Sequence, residues 1–285
     1  MTHPALTRLV QGLALERLEE NLFRGAVSDT HLKRVYGGKV LGEAIKAAQS
    51  TVDGRDVHSI HCYFLREADS QNPVIYEVER SRDGRAFAAR RVTAIQYGRP
   101  IFTLEASFQV REEGIEYQAT APVVPAPELI ERVLFDELNM QGASPKVQRI
   151  ANIAAPFELR PIDPYFSDPA KGTAPLRRVW LRTVDRLPDD PQLHRAILAY
   201  LSDYGLITTL LMPQGLRVLS ENIFLASLDH AMWFHRAFKM DQWLLYVCEG
   251  VTSSGARGLA RGSFYDRDGR LVVSVAQEGL IRVTV

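Results

Sequence analysis

The sequence predicts an α+β fold made twice: a helix followed by an antiparallel sheet, then the same again. Three observations carry this. In each half of the 285-residue chain, apolar residues at helical spacing precede four strand-like runs. The halves also match residue by residue. Tyr63-Phe64-Leu65-Arg66 aligns with Trp233-Phe234-His235-Arg236, Val74-Ile75-Tyr76 with Leu244-Leu245-Tyr246, Ala89-Arg90 with Ala260-Arg261, and Gly98-Arg99 with Gly269-Arg270. The offset stays at 170 to 171 across four strands, which marks a duplicated unit. Finally, eleven of the fifteen prolines fall between Pro122 and Pro191. Proline removes backbone donors and blocks helix and central strand, so this region separates the copies. The expected division is 1–112 as the N-terminal unit, 113–150 as a proline-rich linker, and 151–285 as the C-terminal unit.

The elements follow in order. Leu6, Leu9, Val10, Leu13 and Leu18 predict a helix over 4–13 or beyond, and Asn21–Val27 a strand. Tyr36-Gly37-Gly38 opens a second helix whose apolar set is Val40, Leu41, Ala44, Ile45, Ala47 and Ala48. Strands are expected at Val57–Leu65, Pro73–Glu79, Phe87–Gln96 and Ile101–Val110, the last two joined by a turn at Tyr97-Gly98-Arg99-Pro100. Within the linker a short helix is expected near Glu128–Leu138, with short strands after it at Phe157–Arg160 and Arg178–Thr183. The pattern then returns: a helix over Leu193–Leu211 and strands at Asn222–His235, Trp243–Val251, Gly258–Phe264 and Leu271–Val283.

Composition limits the function classes. Lys plus Arg and Asp plus Glu are 34 each, so net charge gives no reason to expect nucleic acid or an anionic membrane as partner. The two cysteines, Cys62 and Cys248, lie in apolar strand-like runs without metal-ligand spacing, and buried free thiols are expected. That usage suits a reducing compartment, and a cytoplasmic location is expected. The N-terminus lacks a signal-peptide pattern, and Val283-Thr284-Val285 is not a peroxisomal address. No membrane insertion is expected.

Polar residues on core-directed elements point to chemistry. The stretch Ile223–Phe238 sets Ser227, Asp229 and His230 among aromatics. In its plainest reading Asp229 and His230 satisfy each other in the core. Leu271, Val273, Val275 and Gln277 alternate onto one face, so an amide ends an apolar row. Asp203 places a carboxylate in an apolar helical stretch. In the repeat register Gln277 answers to Ala106 and Ser227 to Val57; Asp203 answers loosely to Gly37-Gly38. Asp203, Ser227 and Gln277 together suit activation of a water: a desolvated carboxylate is a stronger base, and a hydroxyl and an amide can aim the same water. A polar network buried for structural reasons is the plainer reading. No nucleophile elbow, P-loop or dinucleotide fingerprint is present in the sequence. His58 and His61 fall on opposite strand faces, and no metal site is expected. Arg80, Arg82, Arg85, Arg90 and Arg91 form a basic cluster, read either as a solvated sheet edge or as a seat for ligand phosphates.

These residues resemble the acyl-CoA thioesterase II family, the double-hotdog thioesterases. SLDHAMWFHR at 227–236, Tyr36-Gly37-Gly38 with its helix, HSIHCYFLR at 58–66 and VAQEGLIR at 275–282 carry the resemblance, which spans nearly the whole chain. It implies a double hotdog, two antiparallel sheets each wrapped around a central helix. It also implies hydrolysis of fatty acyl-CoA to fatty acid and coenzyme A, with no cofactor or metal, by a homo-oligomer (dimer or tetramer). The family's catalytic aspartate falls on Asp203, its hydroxyl residue, often threonine, on Ser227, and its glutamine on Gln277. The predicted substrate-binding set is Gly37, Gly38, Arg90, Arg91, His58 and Trp233. The alternative is a non-catalytic acyl-CoA or lipid-binding protein using the same tunnel; a polar trio in only one repeat favours the enzyme.

Overall fold

The computed structural model describes residues 3–27, 34–134, 144–163, 170–216 and 222–283. The first unit runs α1 (Pro4–Gly12), β1 (Leu15–Glu19), β2 (Leu22–Gly25), α2 (Gly37–Gln49), β3 (Asp56–Phe64), β4 (Ile75–Asp83), β5 (Phe87–Gln96) and β6 (Arg99–Gln109). The second runs β7 (Val133–Leu134), α3 (Pro145–Ala154), β8 (Phe157–Pro161), β9 (Leu176–Thr183), α4 (Pro191–Ser202), β10 (Ile223–Ser227), β11 (Asp229–Phe234), β12 (Leu244–Ser254), β13 (Arg257–Asp266) and β14 (Leu271–Val283). The sheet order is β1-β2-β4-β5-β6-β3 in the first unit and β11-β14-β13-β12-β9-β8-β7 in the second, with β10 also paired to β14.

The two sheets meet edge to edge through β3 and β11 and form one continuous sheet. The seam is self-complementary: Tyr63 pairs with Asp229, and Ser59 pairs with Trp233, their counterparts at the repeat offset. The same symmetry recurs in single bonds. Leu65 N donates to Ile101 O, and His235 N to Val272 O. Arg66 Nη1 donates to Pro100 O, and Arg236 Nη1 to Leu271 O. The sequence repeat is thus a structural repeat.

α2 is buried on almost every side: Val40, Leu41, Ala44, Ile45, Ala47 and Ala48 are all in the core. So apolar a helix must lie inside, here between the sheet and α4, and its buried Glu43 is met by Tyr76 Oη and Lys39 Nζ. Each fully buried Leu or Ile there contributes about 1.5–3 kcal/mol. Glycine lets the two helix backbones touch. A Cβ on Gly38 would lie 2.2 Å from Tyr200 O, and one on Gly42 would lie 3.0 Å from Ala196 O. Gly38→Ala should therefore force the helices apart and cost about 1–3 kcal/mol. Thermal unfolding checks this, and an unchanged melting temperature would mean that the contact yields cheaply.

The proline-rich segment is more structured than expected. Ala121, Val124 and Ile130 pack on an outer apolar cluster of Trp180, Trp243, Leu245, Val247 and Tyr265, and Trp180 Nε1 donates to Pro125 O at 2.9 Å. It thus straps the outer face of the second sheet. In place of the short helix expected at Glu128–Leu138 there is a 3₁₀ turn at Pro127–Leu129 and then β7; 135–138 lie outside the described residues. α3, unforeseen in the sequence, begins inside the expected linker, with Ser144 as its cap.

The helix expected over Leu193–Leu211 stops at Ser202. Gly205 adopts φ 80°, a conformation favoured by glycine, and a 3₁₀ segment follows over Ile207–Gln214. By length and composition Pro191–Gln214 would pass for a membrane span, but 72% of its apolar window is buried within this fold. The single strand expected at Asn222–His235 is two strands, broken at Leu228, whose N–H bonds Glu278 O and whose carbonyl accepts from Phe64 N.

Candidate active site

The end of α4, the end of β10 and the middle of β14 converge on one point. Asp203 is the residue that caps the C-terminus of α4, with φ −75° and ψ −13°. It is therefore at the helix end rather than inside the helix. Its counterpart is Ser50, which caps α2, and not Gly37-Gly38. Ser227 is the last residue of β10 and pairs with Gly279. Gln277 pairs with Ala260, points inward and is fully buried. Strand alternation puts Val273, Val275 and Gln277 on the core face, as expected. Leu271 leaves that row at a register shift between Phe264 and Tyr265 and joins the outer cluster.

Asp203 Oδ1 receives two hydrogen bonds, from Ser227 Oγ at 3.0 Å and from Gln277 Nε2 at 2.6 Å. Gln277 Nε2 also donates to Ser227 Oγ at 3.0 Å. Both hydrogens of the amide nitrogen and the one hydroxyl hydrogen are thereby used. The other carboxylate oxygen, Oδ2, takes neither bond and faces the N-terminus of α2: a Cβ on Gly37 would lie 3.0 Å from it and 2.9 Å from Phe64 Cε1. Glycine at 37 is what lets the first unit approach the carboxylate. The first N–H groups of a helix have no intrahelical partner, so α2 opens donors beside Asp203. Tyr36 lies at the same place, with its hydroxyl donating to Tyr200 O at 3.0 Å. Burial first, and Asp203 second, hold its phenol well above the ordinary range.

A narrow cavity adjoins this point at Tyr204 and Gly205. Its wall is mostly apolar, with Leu159, Val179, Leu181, Leu201, Tyr246 and Cys248, and Arg177 is its one charged residue. Cys62 and Cys248 are buried free thiols, as expected.

Asp229 and His230 do not satisfy each other. Adjacent strand residues point to opposite faces. Asp229 Oδ1 accepts from Glu278 N at 2.7 Å, while His230 turns inward, fully buried, with Nε2 2.9 Å from Ser202 Oγ.

Of the predicted substrate-binding residues, Gly37 is at the site and Gly38 serves the helix contact. The other four are elsewhere. Arg90 is 1% exposed and has its donors committed to Thr51 Oγ1, Thr51 O, Arg82 O, Ala89 O and Asp83 Oδ1. It is no phosphate seat. Arg90 pairs with Ala106 as Ala260 pairs with Gln277. A buried guanidinium thus reaches the end of α2 in the first copy, where the second copy keeps the trio. Arg91 is exposed and is paired with Glu105 and Glu79. His58 lies six residues along β3 from Phe64, roughly 20 Å, and its Nε2 is 2.8 Å from Ser107 Oγ. Trp233 is on the outer face, edge-on to His61.

Arg90→Met keeps the stem but strands several buried carbonyls. We expect a loss of about 3 kcal/mol or more with unchanged KM for substrate in the folded protein. Denaturant unfolding alongside kinetics tests this; a raised KM at unchanged stability would restore a ligand role.

Fold and site together define a double hot dog protein with a carboxylate-centred polar site in its second half. A model described as acyl-CoA thioesterase matches residues 154–280, and one described as acyl-CoA thioesterase N-terminal domain matches residues 27–109. The chain is 40% identical to acyl-coenzyme A thioesterase 8 of Homo sapiens over 282 residues, covering 95% of this chain and 88% of that one. It is 39% identical to acyl-CoA thioesterase 2 of Haemophilus influenzae, covering 97% and 98%. The crystal structure of an acyl-CoA thioesterase II from Mycobacterium marinum aligns with TM-score 0.79 at 38% identity over 98% of both chains. A hot dog fold protein from Alicyclobacillus acidocaldarius, 19% identical, aligns with TM-score 0.80 over 100% of both and shares the fold. This chain belongs to the acyl-CoA thioesterase family and is a thioester hydrolase.

Proposed function

We propose that the protein hydrolyses fatty acyl-CoA to free fatty acid and coenzyme A by direct attack of water. The observation that carries this is the convergence of Asp203, Ser227 and Gln277, from three elements, on one carboxylate oxygen. With Oδ1 held by the hydroxyl and the amide, Oδ2 is the oxygen left to take a proton from water. The N–H groups that open at Gly37 and Gly38 lie on the Oδ2 side and suit the developing oxyanion of the thioester. Base and oxyanion donors then flank the carbonyl carbon from different units. Serine in place of threonine leaves the hydroxyl without the methyl that stiffens its rotamer, yet here two hydrogen bonds fix it. The same reading takes the protein as a cytoplasmic homo-oligomer, dimer or tetramer, which sedimentation of the purified chain tests.

Thiol release from a series of acyl-CoA lengths is the first test, and activity on none of them sinks the reading. Single turnover in ¹⁸O water is the second. Label should enter the fatty acid within that turnover; an acyl adduct trapped on Ser227 would instead make it a nucleophile.

A further inference from the structure

Gln277 uses both hydrogens of its amide nitrogen on Asp203 and Ser227. Nothing in that arrangement holds the other end of the amide. Turned over, it would put Oε1 where Nε2 now lies, 2.6 Å from Asp203 Oδ1, acceptor against acceptor. His230 faces it across the strands: one step beyond the Ala231–Ala276 pair of β11 and β14, both side chains turn inward and are fully buried. Gln277 Oε1 and His230 Nδ1 are both buried, and neither has a hydrogen-bond partner. Buried polar atoms left without a partner are costly.

The tautomer of His230 decides whether they pair. Ser202 Oγ carries one hydrogen and lies 2.9 Å from both Ala199 O and His230 Nε2. If that hydrogen goes to Ala199, Nε2 must carry the ring proton, and a bare Nδ1 faces Oε1. If it goes to Nε2, Nδ1–H is left to donate to Oε1, and both orphans are satisfied.

We propose that His230 is a positioning residue which, as the Nδ1–H tautomer, holds the Gln277 amide with its nitrogen toward Asp203 and Ser227. The bonds then run one way: Ser202 Oγ–H to His230 Nε2, His230 Nδ1–H to Gln277 Oε1, Gln277 Nε2–H to Asp203 Oδ1. Burial keeps the ring neutral, its pKa pushed down to about 4 against the opposing pull of Asp203 and Gln277. A neutral ring with one donor and one acceptor is what the chain of bonds requires. The proposal rests on the reading of Asp203 and Gln277 as water-activating.

Two variants and one spectrum test it. His230→Phe keeps the ring but loses the donor, and kcat should fall by about 10–100-fold with little change in KM. His230→Asn sets an amide nitrogen near the place of Nδ1 and should recover most of that loss. Turnover of His230→Phe at the parent rate, or His230→Asn as slow as His230→Phe with both folded, overturns the proposal. In the unaltered protein, ¹⁵N NMR of the histidine rings at neutral pH should show a fully buried ring protonated at Nδ1. A proton on Nε2 of His230 overturns the proposal even if neither variant folds. That spectrum needs no turnover, so failure to hydrolyse acyl-CoA and failure of the tautomer are distinct results.

Discussion

Asp203→Asn should lower turnover by about 10²–10⁴-fold while acyl-CoA binding is kept. The geometry explains why the variant should fold. Oδ1 accepts both local hydrogen bonds, from Ser227 and Gln277. An asparagine can keep its oxygen there and set its nitrogen in the place of Oδ2, beside Gly37. Shape and both bonds survive, and what disappears is the oxygen proposed to take a proton from water. Thiol-release kinetics, together with calorimetric binding of a non-hydrolysable thioether analogue, separate the two effects. Near-normal turnover would reassign Asp203 to structure. Lost binding with the protein intact would mean that the carboxylate holds substrate.

Gln277→Ala should slow turnover by about 10²-fold with little loss of folding. It gives the second copy the methyl that the first has at Ala106. The carboxylate keeps its bond from Ser227 but loses the shorter one from the amide, so the direction in which it faces water is no longer fixed. Ala106→Ser is the matched control: the residue is buried between β3 and β5, three strands across from the row of β14 that holds Gln277. It should move the melting temperature more than the rate. If Ala106→Ser abolishes turnover in folded protein while Gln277→Ala retains it, the working half of the molecule has been misassigned.

Much of this was legible in the sequence because periodicity and burial agree where an element lies wholly between a core and a partner. Phe87–Gln96 is a strand with the ends its alternation predicts. α2 begins at the glycines and runs through the apolar set. The trio was visible because polar residues interrupt rows that are otherwise apolar. What hydropathy cannot express is a change of direction within an apolar run. Leu193–Leu211 reads as one helix, yet it turns at Gly205, and that turn puts Asp203 at a helix end facing the other unit. β10 and β11 read as one strand for the same reason. Arg90 was misread because charge in a sequence suggests solvent, whereas five committed hydrogen bonds let it lie in the core. Trp233 was misplaced because strand face depends on register, which one sequence leaves open, and His58 because one sequence does not say which end of β3 meets the site.

The seam between β3 and β11 also bears on how the protein behaves when it is dilute. The carboxylate, hydroxyl and amide come from the second unit, but the glycine against Asp203 Oδ2 comes from the first. Were the units separate molecules, the fraction correctly joined would fall as they were diluted. In one chain each is presented to the other at an effective concentration on the order of millimolar, whatever the amount of protein present. This joining within the chain should therefore persist at nanomolar enzyme, and the isolated second unit should lack the surface that faces its own base.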